Sequence, residues 1–164
     1  KASFVKLSGL DNLVASSDVI SLHIPLTEDT RRLIDSETIK QMKDGVMLIN
    51  TSRGALVDTT DILEALDRGK VGYLGMDVYE HEKGLFFEDH ANDKEQDLLL
   101  KKLMDYPNVI ITPHQAYLTR EALQEIANQT IKNLDLWQAN KCVGKACICE
   151  KDCNRSELKV TSTH

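Results

Sequence analysis

A run of four apolar residues, Val46-Met47-Leu48-Ile49, passes directly into Asn50-Thr51-Ser52-Arg53-Gly54-Ala55-Leu56-Val57-Asp58. No polar residue alternates within the run. A strand of that kind is expected where both faces of a sheet are covered, which is the habit of parallel sheets in α/β proteins. Three further runs share the character: residues 18–22, residues 71–76 with Gly72 and Gly75, and residues 109–111. The two glycines are read as points of close backbone approach.

Helical patterns separate the runs. Residues 36–43 carry Thr38, Ile39 and Met42 at helical spacing, with Ser36 as the expected N-cap. Asp58 or Thr60 precedes Ile62, Leu63, Ala65 and Leu66, and Gly69 follows where a left-handed C-cap is usual. Residues 98–104 read as a short helix. Residues 121–137 read as a long amphipathic one, with Leu123, Ile126, Ala127, Ile131, Leu134 and Trp137 on one side. Strands alternating with helices through short links predict an α/β fold with a parallel sheet and right-handed crossovers. Residues 77–96 show no regular pattern. Phe86-Phe87 among acids suggests an ordered loop that buries the rings.

The ends of the strands carry the chemistry. Ligands of open α/β sheets bind beyond the carboxyl ends of strands. Arg53 stands there, and its planar guanidinium suits a small carboxylate held by two parallel hydrogen bonds. The competing reading is an arginine that caps a loop or pairs with a surface acid. The run at 71–76 is followed by Asp77, Glu80 and Glu82, and the run at 109–111 by His114. An arginine, a carboxylate and a histidine at one sheet edge suit proton transfer beside an anion.

With 164 residues and 41% hydrophobic content, the chain is long enough for a real core. A net charge of −6 argues against nucleic acid or an anionic membrane surface as partner. No segment approaches the ~18 apolar residues that would span a bilayer. All four cysteines, Cys142, Cys147, Cys149 and Cys153, fall late and lack the Cys-x-x-Cys pairs of common zinc modules, so no metal is expected and residues 141–164 read as a polar, flexible tail. The cysteine-free remainder reads as a reduced, cytoplasmic domain. The chain opens on Lys1 with no signal peptide, and is expected to be a piece of something longer.

Two extended stretches carry a family resemblance. One runs from Leu13-Val14-Ala15-Ser16-Ser17-Asp18 through His23-Ile24-Pro25-Leu26-Thr27 to Thr30 and Leu33. The other runs from Met42-Lys43-Asp44-Gly45 through Asn50-Thr51-Ser52-Arg53-Gly54 to Asp58. Over residues 4 to 140 the chain resembles the D-isomer-specific 2-hydroxyacid dehydrogenases. Gly75-Met76-Asp77-Val78-Tyr79-Glu80 and Leu85-Phe86-Phe87-Glu88-Asp89 are most similar to the bacterial fermentative D-lactate branch.

The resemblance implies roles. Arg53 would hold the carboxylate of a 2-oxo acid and polarise its carbonyl, and His114 would be the acid/base. Glu82, rather than Glu80, would hydrogen-bond that histidine. Asp77 would meet the nicotinamide carboxamide. His23 and Pro25 would pass along the dinucleotide, with Thr51 and Ser52 near the nicotinamide, and Tyr117 would line a small substrate pocket. The bland alternatives are a turn cap for Asp77, a backbone-binding loop residue for His23, a core residue for Tyr117 and a solvated His81. The implied cofactor is NAD, with NADP left open. The implied partners are a small 2-oxo or 2-hydroxy acid and, for the intact protein, further copies of itself. Hydroxypyruvate/glyoxylate or phosphoglycerate dehydrogenases and NAD-sensing corepressors are the alternatives.

The glycine-rich turn Gly-x-Gly-x-x-Gly, which binds the pyrophosphate, is absent from the chain. The expectation is therefore the second half of a doubly wound, Rossmann-type NAD-binding domain. Residues 1–117 form the partial dinucleotide-binding domain. Residues 118–140 form a C-terminal helix that packs on a substrate domain lying elsewhere.

Overall fold

The computed structural model describes residues 5–82, 85 and 97–139. The expectations for Phe86 and Phe87 and for the cysteine tail lie outside the described residues. Four strands, β1 (Val19–Leu22), β2 (Val46–Asn50), β3 (Val71–Met76) and β4 (Val109–Ile111), form one parallel sheet in the order β1-β2-β3-β4. Helix α1 (Leu10–Ser16) precedes β1, and α2 (Ser36–Gln41), α3 (Thr59–Asp67) and α4 (Leu98–Met104) run between successive strands. The chain divides into two compact units, residues 1–116 and 117–164.

Helices α2, α3 and α4 each start where a side chain meets the amide groups that a first turn leaves free, whereas α1 follows Gly9 with no side-chain cap. The Asp58 carboxylate accepts from Thr60 N and Asp61 N at 3.0 and 3.1 Å, and Asp97 does the same for α4. Such a cap contributes about 1 kcal/mol. At α2 the cap is Asp35, whose carboxylate accepts from Thr38 N at 2.9 Å, and Ser36 is the first helical residue instead. Both residue types cap well; the backbone is extended at Asp35, which puts its oxygen over the turn. That bond holds the Asp35 carboxyl below the usual carboxylate range. At the far end of α3, Gly69 has φ +69, the left-handed conformation that its sequence position implied.

Helix α1 has no counterpart in the sequence reading. It is seven residues long and buries only Val14, too short a stripe to show as periodicity. The core lies between the sheet and the helices of the first unit: Ile34, Leu48, Leu56, Ile62, Val71 and Leu103 have no exposed surface. Burying such a side chain contributes about 1.5–3 kcal/mol.

The expected burial of both sheet faces is not met among the described residues. The register aligns Ile20, Leu48 and Leu74 on the packed face and Val19, Met47 and Tyr73 on the other. Val19, Tyr73 and Ile110 are exposed. The second expectation about the glycines holds at one place. A Cβ on Gly72 would lie 2.6 Å from the Gly45 carbonyl oxygen, whereas one on Gly75 would meet only Ile49 at ordinary contact distance.

The second unit contains α5 (Arg120–Gln138), capped by the Thr119 hydroxyl on Ala122 N at 3.1 Å. Leu123, Ile126, Ile131, Leu134 and Trp137 on this helix are exposed.

Candidate active site

The register places Leu22, Asn50, Met76 and Ile111 side by side at the carboxyl ends of the four strands. The loops that leave this edge carry every candidate side chain of the first unit. They are held by a few buried polar groups.

Asn50 is the last residue of β2 and is completely buried. Its amide nitrogen donates to the Arg53 carbonyl at 2.9 Å, and its amide oxygen accepts from Ser52 N at 3.1 Å. Its own carbonyl accepts from Asp77 N at 2.9 Å. The side chain thus folds the arginine loop back on the strand, while the main-chain carbonyl of the same residue ties β2 to Asp77 at the end of β3. The Ser52 hydroxyl donates to the Ile24 carbonyl at 2.5 Å, which joins the loop after β1. Arg53 itself is exposed, and its Nη1 donates to the Ser52 carbonyl at 2.6 Å. Gly54 follows in the tightest contact of the site. A Cβ there would lie 2.0 Å from the carbonyl carbon of Tyr79 and 2.4 Å from Glu80 N. The arginine loop therefore rests directly on the backbone that leads to Glu82.

Asp77 organises the histidine loop. Its carboxylate accepts from the Thr112 hydroxyl at 2.5 Å, from Gln115 N at 2.7 Å and from Ala116 N at 2.8 Å, and its carbonyl accepts from His114 N at 2.8 Å. Burial pushes this carboxyl up, but the Thr112, Ala116 and Gln115 hydrogen bonds outweigh it and leave it below the ordinary range. His114 sits at φ +53, which a non-glycine residue adopts only when its surroundings impose it.

His114 Nδ1 lies 3.1 Å from Glu82 Oε1. The other carboxylate oxygen of Glu82 accepts from Tyr79 N at 3.0 Å, so the acid is fixed at both ends. Tyr79 is buried, and its hydroxyl donates to Asp97 at 2.8 Å. Burial first, and then the Asp97 carboxylate, push the phenol well above its usual range, so it stays a donor. Glu80 is engaged elsewhere: it accepts from Thr59 N and Oγ1 and from Arg32 Nη2 at 3.1 Å. Of the two acids in this loop, Glu82 is the one beside the histidine.

His23, Pro25 and Thr51 are exposed at the ends of β1 and β2, with His23 Nε2 2.8 Å from the Ser21 hydroxyl. Tyr117 belongs to the second unit and is exposed. His81 stands edge-on to the Tyr79 ring with centroids 5.6 Å apart and is exposed. Among the described residues no group of three or more His, Cys, Asp or Glu is placed to hold a metal ion, and no helix is long and apolar enough to cross a membrane.

Sequence reasoning gave no role to Asn50, Gly54, Tyr79 or Arg32. For Asn50 a signal exists: it falls on the inward phase of β2, two residues after Leu48, where a polar residue must find buried partners.

A parallel sheet with a carboxylate-held histidine and an arginine on loops at its carboxyl edge defines an α/β domain of the dinucleotide-binding kind. The comparisons place it further. Residues 1–116 match the family described as D-isomer specific 2-hydroxyacid dehydrogenase, NAD binding domain, and the chain belongs to that family of oxidoreductases. It is 51% identical over 130 residues to D-lactate dehydrogenase of Escherichia coli K12, covering 79% of this chain and 40% of that enzyme. Among solved structures, the pyruvate reductase of Chlamydomonas reinhardtii aligns with a TM-score of 0.79 at 45% identity, over 84% of this chain and 42% of that one. D-lactate dehydrogenase of Aquifex aeolicus, complexed with NAD and lactic acid, aligns at 0.72 and 44% identity, over 80% of this chain and 40% of that one. The chain spans about two fifths of the length of these relatives.

Proposed function

We propose that the protein carrying this chain reduces a small 2-oxo acid, pyruvate foremost, to the D-2-hydroxy acid. The observation that carries the reading is the Glu82–His114 contact of 3.1 Å on the loops that adjoin Arg53. Glu82, pinned by Tyr79 N, fixes the ring orientation of His114 and leaves Nε2 for the substrate oxygen. Protonated His114 gives its proton to the carbonyl oxygen. Arg53 holds the carboxylate by its fork and stabilises the charge that builds on that oxygen, an effect of roughly 3–4 kcal/mol per donor in comparable sites.

The residues present fit part of a dinucleotide site. When bound, NADH supplies the hydride. His23, Pro25, Thr51 and Ser52 would pass along the dinucleotide at the open ends of β1 and β2. Asp77 already receives three donors, and a carboxylate has about four lone-pair sites, so one remains for a carboxamide. Tyr117 would line the substrate pocket. We place the domain boundaries at 117 and 140; the exposed apolar residues of α5 suit a helix that packs on a substrate domain. Homo-oligomeric assembly and a cytoplasmic location belong to the same proposal.

The test uses a joined protein, in which this chain replaces the matching segment of the E. coli enzyme. NADH absorbance is followed with pyruvate, hydroxypyruvate and glyoxylate, and the configuration of the product is determined. Pyruvate reduction to D-lactate is expected, with His114→Gln and Glu82→Gln lowering kcat by about 10²-fold or more. A joined protein that binds NADH but reduces none of the three acids, or a fully active His114→Gln, refutes the reading.

A further inference from the structure

We infer that Arg32 is a positioning residue that clamps the arginine loop to the glutamate loop. It rests on the reading of Arg53 and Glu82 given above, though half of its test does not. Three observations meet at this side chain. Arg32 Nη1 lies 3.2 Å from Asp58 Oδ2, and Nη2 lies 3.1 Å from Glu80 Oε1. Asp58 ends the loop that begins at Arg53, and Glu80 stands two residues before Glu82. The guanidinium therefore bridges the far end of one catalytic loop to the near end of the other. Both acids are largely buried, with side chains 15% and 10% exposed, and among the described residues Arg32 is the cation in contact with each.

The backbone repeats the connection. Arg32 N donates to the Ala55 carbonyl at 2.8 Å, Ile34 N to the Leu56 carbonyl at 3.0 Å, and Asp58 N to the Ile34 carbonyl at 2.9 Å. Arg32 adopts φ +53, a left-handed conformation unfavourable for a side chain of its kind. An arginine that serves no purpose at such a place would be better replaced by glycine or asparagine. The third observation is Gly54, jammed on the Tyr79–Glu80 peptide. That contact has no give, so the two loops share one position only while something holds them together. Van der Waals contact resists approach, and the Arg32 bridge resists separation.

A misplacement of about an ångström at a reacting group costs up to 10²-fold in rate. Arg53 meets the carboxylate of the substrate and Glu82 orients the histidine, so both substrate binding and turnover depend on their separation. Ser52, which would meet the dinucleotide, is held by Asn50 and by the Ile24 carbonyl and not by Arg32, so dinucleotide binding does not depend on the clamp.

The experiment compares Arg32→Met, Arg32→Lys and Arg32→Gly with the parent in two readouts. The first is amide hydrogen exchange on the full chain in the joined protein. Arg32→Met should speed exchange at Val57, Tyr79 and Glu82, and leave His114, held by Asp77, unchanged. The second is kinetics. Arg32→Met should raise KM for the 2-oxo acid and lower kcat, about fivefold or more in each, with KM for NADH unmoved. Arg32→Lys keeps the charge without the fork and should recover part of the loss. Arg32→Gly suits the left-handed backbone, so it should be at least as stable as Arg32→Met yet equally impaired, which separates positioning from stability. Unchanged exchange at Tyr79 and Glu82 overturns the inference even if the joined protein proves inactive. So does a kinetic loss in Arg32→Met that Arg32→Gly does not share. Changed exchange in an inactive parent would instead sustain the clamp and refute the function.

Discussion

Replacing Gly54 by alanine adds one methyl carbon and is expected to be the most damaging glycine-to-alanine change among the described residues. The new Cβ would lie 2.0 Å from the Tyr79 carbonyl carbon, 2.1 Å from its oxygen and 2.4 Å from Glu80 N. All three are backbone atoms, so no side chain can rotate away. Each distance is an ångström or more short of ordinary contact. The φ of Gly54 does not lie in the left-handed region, so the whole penalty is steric. Overpacking a tight site typically costs about 1–3 kcal/mol, and a clash confined to backbone belongs at the upper end. The alternative to that cost is separation of the two loops, which moves Arg53 and Glu82 apart. Gly75→Ala is the internal control. Its Cβ would meet Ile49 at 3.9 and 4.0 Å, so it should change stability by at most about 0.5–1 kcal/mol, in the favourable direction, through the stiffer unfolded chain. The assay is urea denaturation of the joined protein followed by circular dichroism, with pyruvate kinetics in parallel. Gly54→Ala should lose about 3 kcal/mol or show a sharply raised KM for pyruvate. If it matches Gly75→Ala in both, the close approach of the loops is not real and the clamp argument fails with it.

Asn50→Ala orphans the Arg53 carbonyl and Ser52 N, and at about 1–3 kcal/mol for each unsatisfied group should cost roughly 2–6 kcal/mol in urea titration. Asp77 has a depressed pKa in the folded protein, so its stabilising contribution is present above the ordinary carboxylate range and is lost as pH falls through the depressed value. Thermal scans should therefore show a Tm that drops in acid, and Asp77→Asn should flatten that drop while lowering Tm near neutrality. Arg53→Lys keeps the charge but loses the fork, so KM for pyruvate should rise about tenfold or more with NADH affinity unchanged; unaltered pyruvate kinetics would exclude Arg53 as the carboxylate anchor.

Much of this was local and therefore legible. The apolar runs became β1 to β4 because each is short and rich in aliphatic and β-branched residues. Asp58 and Gly69 bracket α3 because capping and left-handed φ are decided within a few residues. Arg53, the acids at 77, 80 and 82, and His114 were legible as polar groups just past strands, and the family resemblance singled out Glu82 and gave Asp77 its role. What the sequence could not decide concerns partners distant along the chain. Asp35 and Ser36 are both good caps, and only backbone geometry chose Asp35. Glu80 and Glu82 are the same chemistry two residues apart. The fold sends Glu80 to Thr59 and Arg32 and Glu82 to His114, because residues 79–82 form a turn, closed by Glu82 N on the Tyr79 carbonyl, and do not keep the shared face that residues two apart have in a strand. The apolar runs predicted two covered faces, but the described residues cover one, since a strand's hydrophobicity records what its faces require and not which segment meets them. Gly54 and Arg32 owe their roles to contacts made 25 or more residues away, through Tyr79 and Glu80, and such contacts exist only once the sheet has brought its loops to one edge.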